Sequence, residues 1–219
     1  ANKKDKGTSS RVYDLIAGIY RKLLIRPSLN HFLSAHVPAR STILHAGCGG
    51  GEVDIDIIDR YQGCAYDISS AAVTRYRHLH GNTAHVINGD LMQIAIIDNY
   101  FDAVYNLGVM EHFLTEELEH LFDEFHRVLK PDGTLILFWP MRHSVSVWGL
   151  KIIHFVLNDI LRQQVRLYPP EPSLLTSSKE AERLLEAHGF EMVEFYFGPR
   201  DMFTQAAVVG KSRKTPMET

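Results

Sequence analysis

Residues 43–51 read ILHAGCGGG. Ile43 and Leu44 lead into a loop in which Gly47, Gly49, Gly50 and Gly51 leave the main chain almost bare. Glycine at a tight strand-to-helix turn takes positive φ without strain and removes the Cβ that would keep a ligand off the peptide groups. The loop therefore predicts a strand, a turn and a nucleotide-like ligand, without saying which one. Taken alone, the glycines also fit a purely structural turn.

The rest of the chain supplies a sheet around that turn. Val12, Leu15, Ile16, Ile19 and Leu23 recur at helical spacing, and Leu29, Phe32, Leu33 and His36 repeat the pattern after Pro27, predicting two helices before the first strand. TILHAG is then a strand, GEVDIDIID a helix, GCAYD a strand, SSAAVTRYRHL a helix capped by Ser69, and AHVINGD and FDAVYNLG two more strands. A helix from about Thr115 to Lys130 presents Leu118, Leu121, Phe122, Phe125 and Leu129 on one face, and a PDG turn leads to the apolar strand TLILFW. Such alternation describes a parallel sheet covered on both faces. Ser177 and Glu180 form a capping box for a helix that Gly189 closes, and FEMVEFYFG and MFTQAAVVG come next, separated only by PRD. Strands that close together must be antiparallel. The expected fold is α/β, Rossmann-like and doubly wound, with a mostly parallel seven-stranded sheet ending in an antiparallel hairpin. Helices precede it and a helical insertion comes after the fifth strand. Residues 11–210 are expected to form one domain, between an expected disordered tail at 1–10 and a second tail at 211–219.

Charge narrows the partners. A net charge of −3, with no dominant basic stretch, argues against a non-specific nucleic-acid binder, which needs a basic stripe to displace counterions. The short clusters Lys3, Lys4 and Lys6, Arg75 and Arg77, and Lys211, Arg213 and Lys214 read as solvated ends and a helix face. One structured RNA partner stays open. Cys48 and Cys64 are too few for a disulfide framework, which fits a reducing, cytoplasmic setting. The start ANKKDKGTSS lacks the apolar core of a secretory signal, and no stretch has the length of a membrane span.

Residues beyond the first glycines narrow the ligand. A dinucleotide fingerprint is G-x-G-x-x-G, but counting from Gly47 the sixth residue is Glu52 and the pattern is G-x-G-x-G. A carboxylate at that point repels pyrophosphate and suits a cofactor without one. Asp67 ends the second strand, twenty residues after Gly47, where an acid can take both hydroxyls of a ribose. Asp90 ends the third, where a carboxylate accepts from an adenine amine while the next N–H meets a ring nitrogen. An N-terminal helix acid at Asp67 and a turn residue at Asp90 are the alternatives.

With these motifs in order, the sequence resembles the class I S-adenosylmethionine-dependent methyltransferases, particularly the broad small-molecule, type 11-like group. The blocks GDLMQIAIIDNYFDAVYNLGVMEHF and RVLKPDGTLILFWP carry the resemblance, densely over 42–139 and in outline over about 177 to 209. It implies S-adenosyl-L-methionine as cofactor. Gly47, Cys48, Gly49 and Gly51 would line its methionine part, Asp67 and Ile68 its ribose, and Asp90, Leu91 and Met92 its adenine. Asn106 and Leu107 would lie beside the transferable methyl. One position departs from the family: where an acid usually stands two residues before the first glycine, this chain has His45. That acid ordinarily helps anchor the donor's ammonium group; a cationic imidazole would oppose it, whereas a neutral one could accept a hydrogen bond.

The sulfonium is an activated methyl, so positioning supplies much of the rate and a base is needed only if the acceptor must lose a proton. Glu111 and His112 are the candidates for that base, with a packing role for His112 as the alternative. NLGV at 106–109 is not the N-P-P-aromatic pattern of resembling nucleobase amine methylases. A metal is not expected, because Gly108 replaces the first acid of the E-x-x-E-H pattern of a metal-dependent subgroup. In VSVWGLKIIHFVLNDILR, Lys151, His154, Asn158 and Arg162 form one thin polar stripe on an otherwise apolar helix. Residues 11–37 and 143–175 are therefore expected to form a lid over a small, apolar or aromatic acceptor methylated at oxygen or carbon. Extra core or a dimer interface is the plainer role for the second segment, and the chain would be a monomer or homodimer. A donor-binding protein without turnover and an RNA or protein methyltransferase are the rival functions.

Overall fold

The computed structural model describes residues 18–145 and 172–215. Seven strands form one sheet: β1 (Thr42–Ala46), β2 (Gln62–Asp67), β3 (His85–Asn88), β4 (Phe101–Leu107), β5 (Leu129–Trp139), β6 (Phe190–Tyr196) and β7 (Ala206–Ser212). Their order is β3-β2-β1-β4-β5-β7-β6, and β7 alone runs against the other six. This is the expected doubly wound, mostly parallel sheet closed by an antiparallel hairpin. The strand order reverses between β1 and β4, where ligands of open α/β sheets bind.

Alternate residues of the inner strands face opposite layers. Ile43, Ala103, Tyr105, Ile136, Phe138 and Val209 pack with Leu29, Phe32 and Leu33 of α1 (Arg26–His36). Leu44, Val104, Leu135, Leu137 and Val208 pack on the other face against α3 (Thr115–Val128) and α4 (Ser178–Ala187). Both layers are apolar on their sheet side, and each Leu or Phe so buried contributes about 1.5–3 kcal/mol. Between β2 and β3 lies α2 (Ser70–His80), whose N-terminal cap is Ser69 accepting from the Ala72 N–H, as expected.

Four local expectations need correction. The two predicted N-terminal helices are one helical run over 18–36. Ahead of Pro27 the turn Arg21–Ile25 widens to a π turn, with the Arg26 N–H donating to Arg21 O, and this gives the proline ring room without a break. GEVDIDIID is a chain of turns, because its β-branched residues and aspartates favour helix poorly and Asp54 turns inward to buried donors. At the capping box, Ser177 accepts from the Glu180 N–H, but the Glu180 carboxylate reaches back to the Thr176 N–H. The domain also passes residue 210: β7 runs to Ser212, and Lys214 Nζ donates to Asn99 Oδ1, Arg127 O and Leu129 O. The predicted helix within 145–162, most of the segment 143–175 and the start of the first predicted helix lie outside the described residues. Among the described residues, no helix is long and apolar enough to cross a membrane.

Candidate functional site

β1 delivers its glycines to the carboxyl edge of the sheet. The Gly47 and Cys48 N–H groups both donate to Tyr66 O, at 2.8 and 3.1 Å, so the chain turns at once toward β2. Gly47 has φ +75°, and a Cβ there would lie 2.5 Å from Val109 Cγ2, so only glycine lets the loop pass the segment after β4. Asp67 fixes the loop from the other side: Oδ2 accepts from the Gly49 N–H and Oδ1 from the Ser69 N–H, both at 2.8 Å. Asp67 thus ties the loop to the start of α2, and its remaining lone pairs can still accept from a ligand. Asp90 Oδ1 accepts from the Met92 N–H at 2.9 Å and holds the short turn Leu91–Gln93 beside the same opening.

These elements enclose a cavity of about 730 Å³, within the range of small-molecule and cofactor sites. Its lining charges are unequal. Glu52, Asp67, Asp90 and Glu117 supply four carboxylates, and Arg21 is the one Lys or Arg among the described lining residues. Carboxylates gathered in a concave site with low-dielectric walls favour a cationic ligand and oppose a pyrophosphate.

Beneath the loop lies a buried polar network. His45, 2% exposed, places Nδ1 2.7 Å from Asp54 Oδ2 and stacks on Tyr105 with ring centroids 4.5 Å apart. Asp54 has no exposed surface and also accepts from the Tyr76 hydroxyl at 2.7 Å and the Tyr105 hydroxyl at 2.9 Å. Burial alone would raise its carboxyl pKa, but electrostatic attraction to His45, the hydrogen bond with it and the two tyrosine hydroxyls together hold it below the ordinary value. Burial, reinforced by Asp54, pushes both tyrosines up. The Cys48 thiol also rises, through burial and then the Asp67 and Asp54 carboxylates, so it is no thiolate nucleophile at neutral pH.

A further part of the lining comes from distant elements. Tyr20, Arg21 and Ile25 reach the cavity from the helical run before β1, and Gln205 from the β6–β7 connection. The Tyr20 hydroxyl donates to Thr204 Oγ1 at 2.7 Å, and Asp201 Oδ2 accepts from the Gln205 N–H at 2.8 Å. Burial pushes the Tyr20 pKa up to about 12, with Asp201 and Glu111 adding to the rise against the Thr204 hydrogen bond.

Of the residues singled out in the sequence, His45, Gly47, Cys48, Gly49, Asp67, Ile68, Asp90, Leu91, Met92, Leu107 and His112 line this cavity. Gly51, Asn106 and Glu111 do not. Gly51 packs on α2, where a Cβ would lie 2.6 Å from the Tyr76 ring. Asn106 is fully buried, with Nδ2 donating to Met110 Sδ at 3.0 Å. Glu111 is 5% exposed on the turn Met110–His112, whose other end carries His112 to the lining. Tyr20, Arg21 and Ile25 come from the segment 11–37 expected at the acceptor site; sequence reasoning missed Val53, Val109, Phe113, Glu117 and Gln205 as lining groups, and Asp54 behind His45. Asp54 left one signal, an acid inside an aliphatic run; the others have no local signature.

Comparison with known proteins gives a consistent picture. Residues 44–137 match the family described as methyltransferase domain. The sterol 24-C-methyltransferase of Gibberella zeae is 30% identical over 177 residues, which cover 74% of this chain and 43% of that protein. The probable tRNA methyltransferase 9B of Bos taurus is 28% identical over 156 residues, covering 68% of this chain and 31% of that one. The chain thus spans less than half the length of these curated relatives. Among solved structures, magnesium protoporphyrin IX methyltransferase from Synechocystis, crystallised with S-adenosylhomocysteine, superposes with a TM-score of 0.64 at 18% identity. That match covers 90% of this chain and 84% of the other, and it shows a shared fold.

Proposed function

We propose that this chain is a class I, S-adenosylmethionine-dependent methyltransferase that transfers the donor methyl to a small, largely apolar acceptor, at oxygen or carbon, in keeping with the match of residues 44–137 to the methyltransferase-domain family. The observation that carries the reading is the acidic cavity: a glycine main chain at the carboxyl ends of β1 and β2, four carboxylates and one guanidinium. A sulfonium with an ammonium tail is a cation that such a site prefers, and a dinucleotide is not. In this reading Gly47, Cys48 and Gly49 cradle the methionine part, Asp67 takes the ribose hydroxyls, and Asp90 with Leu91 and Met92 frames the adenine.

The chemistry needs little from the protein beyond alignment. In-line approach of the acceptor to the sulfonium methyl at about 3–3.5 Å supplies much of the rate. His112 is the side chain we assign to accept a proton where the acceptor must lose one. The helical run bearing Tyr20, Arg21 and Ile25 is the element we assign to shape the acceptor end of the cavity. The sterol and porphyrin methyltransferases among the similar proteins support an apolar acceptor. The two buried free thiols, Cys48 and Cys64, suit a reducing cytoplasm.

Calorimetry with S-adenosylmethionine, S-adenosylhomocysteine and NAD tests the donor. Binding of the first two at roughly micromolar Kd, without NAD binding, is the expected result, and Asp67→Ala should weaken it by about 1.5–3 kcal/mol. Tight NAD binding without response to the methyl donor would end the proposal. Labelled donor offered with metabolite extract, RNA and protein in parallel then identifies the acceptor class. Label in RNA or protein alone would replace the small-molecule reading, and binding without transfer in all three would mean a donor-binding protein.

A further inference from the structure

A carboxylate taken wholly out of water is costly unless its position serves something, and Asp54 is such a group beside the wall of a ligand cavity. Its partners come from separate elements: His45 from β1, Tyr76 from α2 and Tyr105 from β4. The two oxygens divide the work. Oδ2 accepts from His45 and Tyr76, while Oδ1 accepts from Tyr105, whose ring also stacks on the imidazole at an interplanar angle of 24°. The stack fixes the plane of the His45 ring and the carboxylate fixes its tautomer, since an ionised carboxylate only accepts and Nδ1 must then carry the proton. A neutral imidazole so held has one nitrogen left, Nε2, and that nitrogen is an acceptor.

On the reading that the cavity holds the sulfonium donor, we propose that Asp54 is a positioning residue that makes His45 an acceptor for the donor's ammonium group. The negative charge lies one imidazole away from the ligand instead of touching it. His45 lines the cavity and Asp54 does not, so the pair acts as an extended acid: Nε2 takes the hydrogen bond and Asp54 balances the charge. The surrounding groups leave these two in control. Tyr76, Tyr105 and the Cys48 thiol are all kept protonated by burial, so the negative charge beneath the loop belongs to Asp54 alone among these groups. An asparagine at position 54 can turn its amide NH2 toward Nδ1. The imidazole proton then moves to Nε2, where it faces the ammonium as a donor.

Two probes differing only at the amino-acid end decide the matter by calorimetry. S-adenosylhomocysteine carries the ammonium, and 5′-methylthioadenosine lacks it. Asp54→Asn should weaken the first by about tenfold or more and leave the second within about twofold, the contrast expected when only a charge-assisted contact is lost. Placing His45→Asp in the Asp54→Asn background should recover most of the lost affinity, because a carboxylate then meets the ammonium directly. Equal loss for both probes in a folded variant, or loss for neither, overturns the proposal. If the unaltered protein binds neither probe, the donor reading itself fails. Nitrogen-15 spectra of His45 in the unaltered protein bound to S-adenosylhomocysteine give an answer that needs no variant. Protonated Nδ1 with bare Nε2 is expected; the opposite tautomer, or an imidazolium, refutes it.

Discussion

The cavity is lined in two different ways. From β1 to Asp90 it is made of main chain and short acids contributed by consecutive loops, each held by a neighbour: Gly47 by Tyr66 O and Gly49 by Asp67. From Tyr20 to Ile25, and at Gln205, it is made of side chains that meet only in three dimensions. The first kind of lining can recognise a constant ligand, because backbone geometry changes little when side chains change. The second can be altered one residue at a time without disturbing the first. A site that joins a common methyl donor to a particular acceptor needs both kinds, and this division is what mutation can test.

The largest effect should come from the main-chain side. Gly51 has φ +81°, and an added Cβ would lie 2.6 Å from the Tyr76 ring and 2.8 Å from His80 Nε2. Gly51→Ala combines left-handed strain with overpacking and should cost about 2–4 kcal/mol of stability, and it displaces Tyr76 from Asp54. Gly49 also has positive φ, but a Cβ there meets nothing within 4 Å. Gly49→Ala should cost only about 1 kcal/mol of stability and lose donor affinity instead. Urea unfolding and calorimetry on both variants separate these outcomes; equal stability losses would mean that the loop is not keyed to α2.

The same division explains what can be read from the chain. Period-two and helical patterns give the strand and helix order, because Ile43, Ala103, Ile136 and their alternate neighbours are sorted between two apolar layers. Gly47, Asp67 and Asp90 are visible because each stands after a strand at a fixed spacing. Asp54 reads as a helix residue, since alternating acids and aliphatics look amphipathic; its true environment depends on Tyr76 and Tyr105, which are far away in sequence. Pro27 signals a break that the π turn at Arg21–Ile25 absorbs. Tyr20 and Gln205 come together through tertiary packing alone, which no local pattern encodes.

A second, intermediate effect concerns the acid below the loop. Asp54 titrates in the folded state below its ordinary value of 3.8. A depressed carboxylate adds stability that is fully present above the unfolded pKa and is lost as pH falls through the folded one. Relative to Asp54→Asn, the protein should therefore hold an advantage of about 1–3 kcal/mol at about pH 5 that shrinks as pH drops below about 4. Urea titrations across that range measure it. An advantage unchanged down to about pH 2 would mean that the carboxylate is not the stabilising form.

The smallest effect should come from the side-chain lining, and it should fall on the acceptor. Tyr20→Phe removes the hydroxyl bonded to Thr204 Oγ1 and leaves Thr204 still donating to Asp201, so the stability cost should be only about 0.5–1.5 kcal/mol. Donor affinity should be unchanged, because no group of the glycine loop depends on that bond. With Tyr20 titrating near 12, its phenol is neutral at physiological pH and cannot serve as the base. Turnover should accordingly show a higher acceptor KM with an unaltered pH profile of kcat. A pH profile that moved with Tyr20→Phe would place this hydroxyl among the reacting groups, and a parallel loss of donor affinity would show that the two kinds of lining act as one.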